Sequence, residues 1–139
     1  MNSDFPRSNR GLSATVVLAF LVAWLAGCAD EVKGTYQTNV DAEKALQSAG
    51  QAMKGIGFNV KVSDSKARVV VGEKNAMARW SGPASTQLKV AVNSADSGSR
   101  IDIALIPPSG AYGSARIPFN DYVYALRLLV PDLEKQSYE

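Results

Sequence analysis

The sequence predicts an α+β fold: a two-layer sandwich in which a helix, a four-stranded antiparallel meander and a second helix follow one another, with both helices on one face of the sheet. Three observations carry this prediction. Apolar residues recur at three- and four-residue spacing over 42–56 and again over 119–130, which is the period of one-sided helices. Between these stretches the period falls to two, as in half-buried strands. A meander with one apolar face must be covered, and only the two amphipathic helices are able to cover it.

The first helix places Ala42, Ala45, Leu46, Ala49, Ala52, Met53 and Ile56 inward, with Glu43, Lys44, Gln47 and Lys54 outward. Thr38 and Asp41 read as a capping pair at its start, and Gly55 as its stop. Alanines dominate the inner face, so this helix should lie close to the sheet. Phe58, Val60 and Val62 then alternate with Asn59, Lys61 and Ser63 as a first strand. Asp64-Ser65-Lys66 is a turn, and 67–73, with Val69, Val70 and Val71, completes a hairpin.

Residues 74–83 are harder to place: Ala76, Ala78 and Trp80 could continue a strand, while Gly82-Pro83 must break it. The third strand, 86–93, alternates Thr86, Leu88, Val90 and Val92 against Gln87, Lys89, Ala91 and Asn93. After a turn at Asp96-Ser97-Gly98, the fourth strand places Ile101, Ile103 and Leu105 opposite Arg100, Asp102 and Ala104. These two strands should pair antiparallel with one face wet. Pro107-Pro108 and the glycines that follow end the sheet. The second helix is expected from Phe119 or Asn120, with Phe119, Tyr122, Val123, Leu126, Leu129 and Val130 as its apolar stripe. Pro131 should end it, with one extra turn reaching Leu133 and frayed residues from 136 onward.

At the amino end Arg7 and Arg10 precede an uncharged run from Gly11 to Trp24, and small residues follow at Ala26 and Gly27. A basic start, an apolar middle and small residues before a cleavage point are the parts of a secretory signal. By length alone the same interval would also serve as an uncleaved membrane helix. The position of the only cysteine, Cys28, directly after Ala26 and Gly27 favours cleavage. The expected organisation is a signal peptide over 1–27, a lipidated cysteine and tether over 28–37, and one α+β domain over 38–136.

Removal of residues 1–27 leaves 112 residues with 13 basic and 12 acidic side chains, enough for one core and close to neutral. That balance gives no argument for nucleic acid. There is no histidine, and hence no His general base or His metal ligand. Asp64, Glu73, Asp96 and Asp102 are scattered over turns and an outer strand face, no acidic cluster has metal-ligand spacing, and the glycines form no phosphate cradle. We expect no enzyme, no metal and no cofactor.

Candidate partner contacts are Arg79-Trp80, because tryptophan and arginine are enriched at interface hot spots, and Tyr112 with Arg116 in a glycine-flanked loop. Packing at the edge of the core is the competing reading of Trp80, and an ordinary packed ring that of Tyr112.

The tetrapeptide Leu25-Ala26-Gly27-Cys28 resembles the lipobox of bacterial lipoproteins. The resemblance implies that Cys28 carries acyl chains such as palmitate and becomes the mature amino terminus. It further implies that Ala29, in place of an aspartate, directs the protein to the cell outer membrane with its domain facing the periplasm. The rest is similar to small, mostly uncharacterised envelope lipoproteins, through Gly57-Phe58, the turn at Asp64, the run Val70 to Glu73 and the helix containing Tyr122. It is also faintly similar to the helix-grip modules of the accessory lipoprotein of the β-barrel assembly machine. Together these imply a membrane-anchored envelope lipoprotein that is a non-catalytic binding or scaffolding module for another envelope protein. The alternative is a carrier of a small apolar ligand or lipid, which would require an enclosed apolar cavity.

Overall fold

Strict alternation over Gly98–Ile106 builds the centre of the sheet. Ser99, Ile101, Ile103 and Leu105 are buried, while Arg100 and Ile106 are exposed and Asp102 and Ala104 half-buried. The computed structural model describes residues 31–78, 82–108 and 115–136. Its elements are β1 (Val32–Thr38), α1 (Ala42–Gly55), β2 (Asn59–Asp64), β3 (Val69–Ala78), β4 (Gly82–Ala95), β5 (Gly98–Ile106), α2 (Arg116–Leu129) and β6 (Glu134–Lys135). The fold is α+β, with one antiparallel sheet in the order β2-β3-β4-β5-β1-β6 and two helices.

β2 to β5 are neighbours in chain order, with β3 and β4 running beyond the expected 67–73 and 86–93, and β4 pairs antiparallel with β5. Two further strands enlarge the sheet. The stretch 32–37, expected as part of a tether, is β1, an inner strand registered along its whole length against β5 from Val32↔Leu105 to Thr38↔Ser99. Its polar composition hid it. Only Tyr36 and Thr38 are buried outright, and Gly34 is glycine because a Cβ there would come within 2.9 Å of the Phe119 ring. The domain therefore begins by Val32, not at Thr38. At the other end β6 adds Tyr36↔Lys135 and Gln37↔Glu134, so residues 134–135 are paired strand where only an extra turn to Leu133 and fraying were expected nearby.

α1 forms where expected and buries Ala42, Ala45, Leu46, Ala49, Ala52 and Met53. Its ends differ in detail. Asp41 alone is the cap, accepting from the Lys44 amide at 3.0 Å, whereas Thr38 is the last residue of β1. The left-handed residue at the other end is Gly57 (φ +89°), not Gly55. The Phe58 amide donates to Met53 O and the Gly57 amide to Lys54 O, a Schellman closure. Lys74 Nζ donates to Ile56 O at 2.9 Å and adds a positive charge at the negative helix end.

The strand β2 is an edge strand, and its expected buried alternation fails past Val60. The register slips between Val60 and Val62, so Lys61 is the extra residue of a bulge and Val62 is paired with Val71 and 49% exposed. The Gly82-Pro83 pair does not break β4: it lies within it, opposite Ala78 and Met77. There β4 is paired to β3 only, since its pairing with β5 begins at Gln87, and a proline takes nothing from a second ladder. α2 begins at Arg116, three residues before the expected start. Pro118 fits its first turn, where the backbone amide has no intrahelical acceptor. Phe119, Tyr122, Val123, Leu126 and Val130 are buried as expected, as is Leu133, but Leu129 is 44% exposed.

The buried residues of β1, β3, β4, β5, α1 and α2 join one cluster around Met53, Leu88, Ile101, Ile103 and Tyr122. Among the described residues no helix is long and apolar enough to cross a membrane.

Candidate functional site

Two surfaces hold the chemistry that the described residues offer. The first is a polar notch at the end of the sheet where β1 finishes. β4 and β5 turn there through Asp96 and Ser97, and Gly98 (φ +117°) lets the turn lie against the backbone of Thr38 and Asn39. An ideal Cβ on Gly98 would overlap the Thr38 carbonyl oxygen and lie 2.6 Å from Asn39 Cα. Ser99, buried beside Thr38, donates to Val40 O at 2.6 Å.

Asp132 reaches the same place from the segment after α2, which Leu133 pins into the core. The Thr38 hydroxyl donates to Asp132 Oδ1 at 2.7 Å and the Asn39 amide to Oδ2 at 2.6 Å. These two donors, the hydroxyl first, hold the Asp132 carboxyl below its ordinary value. A carboxylate kept ionised and satisfied on both oxygens is poorly suited to give or take a proton, and its geometry is that of a clasp between β1 and the chain's last segment. The notch has a volume of about 170 Å³ and is lined by Gln37, Thr38, Asn39, Ser97, Ser99, Asp132 and Glu134 together with Ala95. Polar walls and a volume below the roughly 300 Å³ of the smallest usual ligand pockets do not suit an apolar cargo.

The second surface is the outer side of α2. Ile117, Tyr124 and Leu128 are 65%, 67% and 66% exposed. At about 100° per residue they fall on one line, opposite Phe119, Tyr122 and Leu126. Large apolar side chains that line up in solvent mark contact surfaces more often than single exposed ones do. Sequence reasoning took the inward stripe and missed this one, although the spacings of seven and four residues were there to be read.

Of the residues singled out from sequence, Arg116 is the exposed first residue of α2 and does not lie in a loop. Cys28 and the lipobox residues Leu25, Ala26 and Gly27 lie outside the described residues, as do Arg79, Trp80 and Tyr112. Asp102 is held by the Thr35 hydroxyl at 2.7 Å and by Arg100 at 3.2 Å on the sheet face away from the core. Inside the core Tyr122 donates to Ala49 O at 3.1 Å, and burial raises its hydroxyl pKa strongly. Burial also pushes the Tyr36 hydroxyl up, opposed in part by Arg127. Among the described residues no three His, Cys, Asp or Glu side chains gather as metal ligands.

No family model matches the chain, and no curated protein matches it. Among solved structures it is similar to protein MLL2253 from Mesorhizobium loti, with 12% identity and a TM-score of 0.53 over 71% of this chain and 95% of that one. A second is protein CV1439 from Chromobacterium violaceum, with 9% identity and a TM-score of 0.44 over 73% and 96%. The first likeness concerns the fold alone.

Proposed function

We propose that the protein is a lipoprotein of the cell envelope, anchored through acyl chains on Cys28, whose domain is a non-catalytic binding or scaffolding module for another envelope protein. The observation that carries the anchor is Leu25-Ala26-Gly27-Cys28 placed directly after an apolar run with a basic start. One acyl chain holds a protein to a bilayer only marginally and two or more hold it firmly, so acylation at both the thiol and the new amino terminus makes a lasting tie. Ala29 after the cysteine supports the outer membrane, with the domain on the periplasmic side.

The binding half of the reading is supported by the exposed line Ile117, Tyr124 and Leu128. In the same reading the domain is a two-layer sandwich with α1 and α2 side by side on one sheet face. Its support is that both helices share one buried cluster with the inward residues of β4 and β5, and that Tyr122 of α2 bonds to Ala49 of α1.

The test is Cys28→Ala in the host cell. The variant should accumulate as an uncut precursor and take up no labelled palmitate; continued labelling would remove the anchor. For the binding half, Tyr124→Asp together with Leu128→Asp should abolish crosslinks to a partner in intact cells while leaving the melting temperature nearly unchanged. An identical crosslinking pattern would count against it.

A further inference from the structure

We propose that the arm formed by the ends of β3 and β4 lies in the headgroup layer of the bilayer that holds Cys28, an inference that rests on the lipid anchor proposed above. It follows from which end of the sheet the chain enters and from how little chain is left over. The sheet row that contains Val32 runs through Leu105, Leu88 and Gly72 to Val60. Beyond that row, in the direction of the amino terminus, β3 and β4 stay paired to each other as far as Ala78↔Gly82. β2 ends its pairing with β3 at Asn59↔Glu73, and β5 ends with β4 at Gln87↔Ile106, so the arm outruns both neighbours.

The lengths decide the matter. From Gly72 to Ala78 the arm advances about 20 Å at strand rise. Three residues separate Cys28 from Val32, and the four Cα-to-Cα steps between them reach at most about 14 Å when fully extended. With Cys28 fixed at the lipid, the arm is therefore as long as the gap it must cross or longer. The expected tether of ten residues would have held the domain clear of the surface, but most of that tether is β1.

The composition of the arm suits this position. Between Lys74 and Gln87 the sequence carries a single charged residue, the basic Arg79. Among the described residues at this end of the domain Lys33, Lys54, Lys74 and Arg116 stand against Glu31 and Glu73, an excess of positive charge suited to anionic headgroups. The polar notch with Asp132 and the turn at Asp96 lie at the opposite end, away from the bilayer.

The experiment uses the full chain, acylated in a bacterial host and reconstituted into vesicles of phosphatidylethanolamine and phosphatidylglycerol. Asn75→Cys, Ala84→Cys and Asp96→Cys, made singly, each carry an environment-sensitive fluorophore, and the intact mass establishes acylation of Cys28 in each. The labels at 75 and 84 should shift to the blue and lose most of their quenching by aqueous iodide, while the label at 96 stays fully quenched. Equal quenching at all three positions in protein whose Cys28 is acylated overturns the arm's placement and leaves the anchor standing. Protection at 75 and 84 that persists without vesicles also overturns it, because a second copy of the chain would then be covering the arm. A mass without acyl chains removes the anchor, and the arm proposal with it.

Discussion

The hydroxyl of Tyr122, fully buried in α2, donates to the carbonyl of Ala49 in α1 at 3.1 Å, and this bond ties the two helices together inside the core. The Ala49 carbonyl lies within α1, where the helix's own ladder also addresses it, so losing the phenol does not orphan an acceptor. Tyr122→Phe should therefore cost only about 1 kcal/mol, the net worth of an ordinary hydrogen bond, as read by urea unfolding at neutral pH.

The same residue sets the response to alkali. The Tyr122 pKa is raised in the folded protein, whereas in the unfolded chain it sits near 10.0. The unfolded state therefore releases this proton first, and the stability fully present below pH 10 is lost as pH rises above it. Tyr36, raised in the same direction, adds to the loss. Melting temperatures taken from pH 8 to 11.5 should fall less steeply in Tyr122→Phe than in the wild type; parallel slopes would contradict the assignment.

Asp132 gives the opposite dependence. Its folded pKa lies below the ordinary 3.8, so the clasp on Thr38 and Asn39 is present above that value and is lost as pH falls through the folded pKa. Asp132→Ala should melt earlier than the wild type at pH 7, and the gap should close in melts run near pH 2. A gap of constant size would mean that the carboxylate charge contributes nothing.

Two glycines should respond in opposite ways. At Gly98 a side chain meets both a left-handed φ and the backbone of Thr38 and Asn39, so Gly98→Ala should cost about 3 kcal/mol or more. At Gly55, in the last turn of α1, nothing lies within 4 Å of a new Cβ, and Gly55→Ala should be neutral or stabilise by up to about 1 kcal/mol. Denaturant midpoints of the two variants check both signs.

Much of the fold was legible because burial on one side leaves a period in the sequence. Leu88, Val90 and Val92 announce β4, and Ala45, Ala49 and Ala52 announce α1, since each inward position must be apolar. β1 left no such trace. After Val32, its inward positions are a glycine under the Phe119 ring, a tyrosine and a threonine bonded to Asp132, so close approach and hydrogen bonding stand where an aliphatic run was looked for. Lys61 hid the facing of β2, because one bulged residue carries Val62 across the strand. The polar notch was illegible for a different reason: Thr38 and Asp132 lie 94 residues apart, and no local pattern links them. The outer line of α2 is legible in the seven- and four-residue spacing of Ile117, Tyr124 and Leu128.

If 32–37 were a tether, its loss would be tolerated. Because β1 lies between β5 and β6 and buries Tyr36, a protein beginning at Thr38 should fail to fold, whereas one beginning at Asp30 should show a single cooperative transition. Circular dichroism melts of the two chains separate the outcomes.

The intact mass of protein extracted from the membranes of its own host tests the central claim most directly. The account predicts a chain that begins at Cys28, lacks residues 1–27, and carries a diacylglyceryl group on the sulfur with a further acyl chain on the amino group. A chain that retains residues 1–27, or one with Cys28 as a free thiol, would contradict it.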